Sequence, residues 1–160
     1  TVEELRSGIA SFKGSHRRFE KVLDTGRVVL IDDYAHHPVE LDAAIRSVRE
    51  IYSGKHIMGI FQPHLYSRTA DFYQDFARSL SMLDEVVLLD IYPARELPLP
   101  GVTSRLILDL IENPNKTLVS KNDLLDYLHG NEIPDVVLIL GAGDIDRLVI
   151  PVKQYLQTLC

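Results

Sequence analysis

Four short aliphatic runs, each followed by a stretch long enough for an amphipathic helix, constrain this chain more than any other feature. They lie at 27–32, 56–61, 85–90 and 135–140, and the last reads Asp-Val-Val-Leu-Ile-Leu. A strand that is apolar at nearly every position has no wet face, so both its faces are covered. Such strands alternating with helices imply a parallel sheet with helices on either side. A fifth short strand is expected over 116–119. The expectation is an α/β fold, a Rossmann-like, doubly wound and mostly parallel sheet.

The segments 19–23 and 27–32 are joined by Asp24-Thr25-Gly26, a tight-turn signal. They read as a hairpin that gives the sheet one antiparallel edge strand. A helix is expected over 3–12, with Leu5, Ile9 and Phe12 on a shared face. Another starts at Pro38, with Leu41, Ala44, Ile45 and Val48 as its buried stripe. Others are expected over 69–83 (Phe72, Phe76 and Leu80 on one side), over 104–111 with Ser104 as cap, and over 122–128. The last runs over 144–159, where Pro151 should bend it or start a second part. The loop 92–103 holds three prolines and a glycine. It is long for a strand-to-helix connection, and long ordered loops are often functional.

The length of 160 residues suits one domain with a single core. With 17 Lys+Arg against 23 Asp+Glu the net charge is -6. That balance argues against a nucleic-acid binder, which needs a clustered positive surface. No apolar run approaches the ~18 residues of a membrane helix. The single cysteine, Cys160, has no partner for an internal disulfide. The start has no signal-peptide pattern. Together these fit a reducing, cytoplasmic setting. The chain opens on Thr1 instead of Met and reads as a segment of a longer protein.

In open α/β sheets, ligands bind beyond the carboxyl ends of the strands. Polar and ionisable residues gather at those ends here. They are Asp32-Asp33-Tyr34-Ala35-His36-His37, then Gln62-Pro63-His64 with Arg68, then Tyr92-Pro93-Ala94-Arg95-Glu96, then Gly141-Ala142-Gly143-Asp144. Asp32 and Asp33 either cap the following turn or hold a metal or a ribose hydroxyl. His36 and His37 are adjacent, not four apart, which argues against a zinc site and for a hydrogen bond to a substrate carboxylate or phosphate. His64 and Arg68 are four apart, so one helix face can present both. An Arg fork near a helix start suits a carboxylate or phosphate; the bland alternative is a surface pair with Asp71 or Glu40. Gly141-Ala142-Gly143 is either part of a phosphate loop or a tight turn, with Asp144 capping the helix after it. Tyr34, Tyr66 and Tyr92 are either core or ligand-stacking residues. No complete P-loop, nucleophile elbow, HExxH or CxxC is present, and no metal site is assigned.

Five words, taken in order, resemble the C-terminal domain of Mur ligases. They are Gly14-Ser15-His16-Arg17-Arg18-Phe19-Glu20; Asp32-Asp33-Tyr34-Ala35-His36-His37-Pro38; Phe61-Gln62-Pro63-His64 with Ser67-Arg68-Thr69; Tyr92-Pro93-Ala94-Arg95-Glu96 with Pro100-Gly101-Val102-Thr103-Ser104; and Gly141-Ala142-Gly143-Asp144-Ile145. The resemblance implies a three-domain enzyme. Residues 1–13 would end its central ATPase domain, 14–18 would be a linker, and 19–160 would be the C-terminal domain. It implies joining of L-alanine to UDP-N-acetylmuramate through an acyl phosphate, with ATP and Mg2+ held mainly by the central domain. This segment alone would then be inactive, with no complete catalytic set. By the same resemblance Arg18 and Asp33 approach the nucleotide, while Tyr34, His36, His64 and Arg68 line the amino-acid pocket. Arg17 leaves open which arginine faces ATP, and Leu65 departs from relatives that carry a basic residue there.

The alternatives are a recycling ligase that attaches a tripeptide to the same sugar nucleotide, and a non-catalytic Rossmann-like nucleotide-binding module. The Gln62-Pro63-His64 and Ser67-Arg68-Thr69 words favour the alanine enzyme over the first. ATP affinity in this chain alone would favour the second. A response-regulator domain would explain Asp32 and Asp33, but it wants a lysine where Gly141-Ala142-Gly143 stands.

Overall fold

The computed structural model describes residues 1–11 and 15–159. Six strands form one sheet in the order β1-β2-β6-β3-β4-β5. They are β1 (Glu20–Asp24), β2 (Val29–Asp33), β3 (Ile57–Phe61), β4 (Glu85–Leu88), β5 (Lys116–Leu118) and β6 (Val136–Leu140). β1 and β2 pair antiparallel, and every other pairing is parallel. The expected doubly wound sheet with an antiparallel edge is the observed one.

The two central strands explain the aliphatic runs. Every residue of β3 and β6 is buried. Alternate residues of β6 serve opposite cores. Val136, Leu138 and Leu140 join one cluster, with α2 (Pro38–Ile51), α3 (Tyr66–Leu80) and α4 (Arg105–Leu108). Val137 and Ile139 join the other, with α5 (Leu124–Gly130) and α6 (Asp146–Gln157). A side chain at Gly59 of β3 would collide with Leu83, so the glycine makes room for that leucine in the first core.

The expected stripe of α2 is confirmed, with Leu41, Ala44, Ile45 and Val48 all buried. Its start is fixed by Glu40, whose carboxylate accepts from the N–H groups of His36 (3.0 Å) and His37 (3.1 Å). A carboxylate there satisfies otherwise orphaned donors.

Several local expectations are corrected. α3 starts at Tyr66, not at 69, because the chain turns sharply at Leu65 (φ 74°). Ser104 stands at the N-cap position of α4 as expected, but its side chain makes no capping bond; its hydroxyl donates to the Leu89 carbonyl (2.6 Å) and ties the helix to the end of β4. α4 is a single turn, far shorter than 104–111. α6 starts at Asp146, not at 144, because the Asp144 carboxylate is engaged elsewhere. Pro151 lies inside α6, which continues past it, at the cost of one ladder hydrogen bond. α1 (Val2–Ser11) is present, but Leu5 on its expected face is 65% exposed. The Ile9 side chain and Phe12 on that face, Lys13 at the expected end of the central domain, Gly14 of the expected linker, and Cys160 lie outside the described residues. Among the described residues no helix is long and apolar enough to cross a membrane.

Candidate functional site

Sheet register sets the position of the candidate residues. Asp33, Leu140, Phe61, Leu88 and Leu118 stand in one row across the five parallel strands. The segments that follow this row come out at the same edge, and they carry the polar clusters. The site therefore lies beyond the carboxyl ends of β2, β6, β3 and β4, where an open α/β sheet leaves a crevice.

At β3 and β4 the chain builds an aromatic and cationic wall. Tyr92 donates its N–H to the Pro63 carbonyl (2.8 Å), and Leu65 donates its own to the Tyr92 carbonyl (2.9 Å). This extension of the sheet stacks the rings of His64 and Tyr92, with centroids 5.6 Å apart. Leu65 is non-glycine at positive φ, a strained conformation that surrounding contacts must hold. Its carbonyl accepts from both the N–H (3.1 Å) and the hydroxyl (2.9 Å) of buried Thr69. The turn brings Arg68, in the first turn of α3, back over His64. Arg68 Nη1 donates to His64 Nδ1 (3.3 Å). Arginine only donates, so this nitrogen carries the lone pair and the neutral ring holds its proton on Nε2. Burial first, and then the charge of Arg68, hold the His64 imidazole below its usual range, while Glu96 opposes them. Neither pairing that a surface arginine would make, with Asp71 or with Glu40, is present at Arg68.

β2 supplies the facing wall. His36 donates through Nδ1 to the Tyr34 carbonyl (2.9 Å). Its ring meets Tyr34 edge-on (5.1 Å) and His64 at 5.9 Å. The structure thus brings Tyr34, His36, His64 and Arg68 into one group, with Tyr34 44% exposed at its mouth. His37 turns away and packs on Phe72 (4.9 Å). Glu96, from the loop after β4, accepts from the Ser67 N–H (3.0 Å) and hydroxyl, and so secures the start of α3.

The two remaining candidates sit at the entry to the domain. Asp33 accepts from Phe19 N (2.7 Å) and Ala35 N (2.8 Å), one bond to each oxygen. Arg18 is exposed, while Arg17 is drawn inward, its guanidinium on Asp32 (3.0 Å) and on the Gly141 carbonyl (2.6 Å). Of the two arginines, Arg18 is the one that faces outward.

Two residues at this edge, Gln62 and Lys121, had no assigned role in the sequence reading. Gln62 is buried, donates to Asp144 Oδ1 (2.9 Å) and accepts from Ile145 N (3.0 Å). Lys121, beyond β5, pairs with the other Asp144 oxygen. These contacts join β3, β6 and the β5–α5 turn. They lower the Asp144 carboxyl against the opposing effect of its burial. Gln62 lay in a quoted word, but no local signal marks Lys121, whose partner is 23 residues away.

The comparisons with known proteins agree in one direction. Residues 17–143 match the family model described as Mur ligase, glutamate ligase domain. The chain is 99% identical over its full length to a UDP-N-acetylmuramate–L-alanine ligase of Porphyromonas gingivalis, and spans 35% of that protein. It is 59% identical over 154 residues to the ligase of the same name from Parabacteroides distasonis, covering 96% of this chain and 33% of that protein. The chain therefore spans about a third of the length of these relatives. Among solved structures, UDP-N-acetylmuramate-alanine ligase from Thermotoga maritima superposes with a TM-score of 0.71 at 26% identity. That match covers 98% of this chain and 36% of the other.

Proposed function

The chain belongs to the Mur ligase family through its glutamate ligase domain, and we propose that it is the C-terminal domain of an ATP-dependent ligase joining L-alanine to UDP-N-acetylmuramate. Residues 1–13 end the central ATPase domain in this reading, 14–18 link, and 19–160 close over the reaction. The process is peptidoglycan precursor synthesis in the cytoplasm. The observation that carries the reading is the convergence of Tyr34, His36, His64 and Arg68 at one sheet edge. It occurs in a chain nearly identical to part of a protein named for that reaction.

ATP supplies the phosphoryl group that activates the muramyl carboxylate as an acyl phosphate. The residues of this chain bind and orient. Arg68 takes the carboxylate of L-alanine, since a planar fork fixes its orientation. His64 stays neutral and anchors the fork through Nδ1. His36 and Tyr34 wall the pocket and exclude water from an acyl phosphate that water would hydrolyse. Arg18 approaches the nucleotide phosphates as an exposed cation, and Asp33 retains acceptor capacity for a ribose hydroxyl beyond its two backbone bonds. Among the described residues no group of three or more His, Cys, Asp or Glu could hold a metal ion. In the same reading Mg2+ is held mainly by the central domain, with the ATP phosphates. Closure of this domain over the ATPase core brings the amino acid to the acyl group.

The test is phosphate release by the intact parent protein with ATP, Mg2+ and UDP-N-acetylmuramate. L-alanine is supplied in one reaction and the tripeptide L-alanyl-γ-D-glutamyl-meso-diaminopimelate in another. Release with alanine alone is expected. Release with tripeptide alone would move the chain to a recycling ligase, and release with neither would end the ligase reading.

A further inference from the structure

The chain enters the sheet through a turn at 15–18 that is held from inside. Arg17 (φ 55°) and Phe19 (φ 48°) both occupy the left-handed backbone region. Non-glycine residues stay there only where their surroundings hold them. The surroundings here are specific. The Arg17 carbonyl accepts from Tyr34 N (2.7 Å), its N–H donates to Glu20 (2.8 Å), and Phe19 N donates to Asp33 (2.7 Å). The Arg17 guanidinium reaches Asp32 (3.0 Å) and the Gly141 carbonyl (2.6 Å), tying the turn to the ends of β2 and β6. Both partners are enclosed, with Arg17 11% and Asp32 2% exposed at their side chains. Oδ1 of Asp32 has no hydrogen-bond partner, so Arg17 is the group that compensates this buried carboxylate. Arg18 stands between the two left-handed residues with its side chain outside.

A pair this buried is a poor device for stability alone, because desolvation offsets its attraction. It does fix direction. We infer that Arg17 and Asp32 are positioning residues, a clasp between β2, β6 and the entry turn that presents Arg18 to the nucleotide. The inference rests on the nucleotide-facing role proposed above for Arg18.

The test uses the intact parent ligase and reads the apparent KM for ATP, the apparent KM for L-alanine and the melting temperature. The double variant Arg17→Met with Asp32→Asn removes both charges, leaving no buried ion unpaired. It is expected to melt near the parent temperature and to raise the KM for ATP roughly tenfold, the factor of one lost charge-assisted contact. The KM for alanine stays within about twofold. Arg18→Ala raises the KM for ATP in the parent background and adds little in the double variant, because effects that act through one group are not additive. A double variant with the parent KM for ATP, or full additivity with Arg18→Ala, would overturn the clasp and leave the pair structural. No effect of Arg18→Ala in the parent background would remove the proposed role of Arg18 instead, and the clasp with it. If the double variant does not fold, Arg17→Lys keeps a charge opposite Asp32 but loses the reach to Gly141. It is expected to raise the KM for ATP as a folded enzyme, and an unchanged value overturns the inference.

Discussion

At the residue scale, His64 carries the most information. It accepts from Arg68, stacks on Tyr92 and faces His36. Burial and the Arg68 charge both hold its imidazole below the ordinary 6.5. The folded chain therefore takes up this proton later than the unfolded chain does. Stability is complete at neutral pH and is lost as pH falls below 6.5 toward the folded value. Replacing Arg68 removes one of three depressing causes, the others being burial and the neighbouring His36. In Arg68→Ala the His64 titration, followed by NMR of the imidazole carbons in this domain, is expected to move partway up toward the ordinary value. An unmoved titration would mean that burial and His36 set it without Arg68. The residue types of this pocket were visible in the sequence, because their chemistry is local and they stand at strand ends. Their partners were not. Asp144 was expected to cap a helix, yet Gln62 and Lys121 take its oxygens. Asp32 and Asp33 look alike in the sequence, but one meets an arginine and the other two backbone donors. Such choices depend on contacts far apart in the chain.

At the scale of elements, the turn between β6 and α6 is the tightest joint in the site. A methyl group at Gly143 would lie 2.5 Å from Gln62 Oε1 and 2.7 Å from Tyr92 Cβ. Either the Gln62 bracket or the stacked Tyr92 must give way. Gly143→Ala is expected to cost about 1–3 kcal/mol in chemical denaturation, the range for overpacking a filled site. It should also loosen the His64–Tyr92 stack. A variant as stable as the parent would show that the joint is slack. The glycines of this turn read in sequence as a phosphate loop or a tight turn, and the close approach of β3 and β4 favours the second. Element boundaries were legible to within a few residues wherever periodicity set them, as along α2 and β6. They failed at Leu65, whose sharp turn starts α3 three residues early, and after Leu108, where α4 ends short of the expected 111.

At the scale of the molecule, two cores lie on either face of one sheet, and all candidate groups sit at a single edge. That layout was legible because doubly apolar strands leave few alternatives, and the register then places five strand ends in a row. It also leaves the site one-sided, as the closure proposed above requires. The central claim is that this edge receives the incoming amino acid and that Arg68 holds its carboxylate. The most direct measurement is steady-state kinetics of Arg68→Ala in the intact parent ligase, with alanine and ATP varied separately. The account predicts an apparent KM for L-alanine raised ten- to a hundredfold, roughly the 1.5–3 kcal/mol of a hydrogen bond to a charged group, with the KM for ATP nearly unchanged. An unchanged KM for alanine, or an equal rise in both, would contradict it.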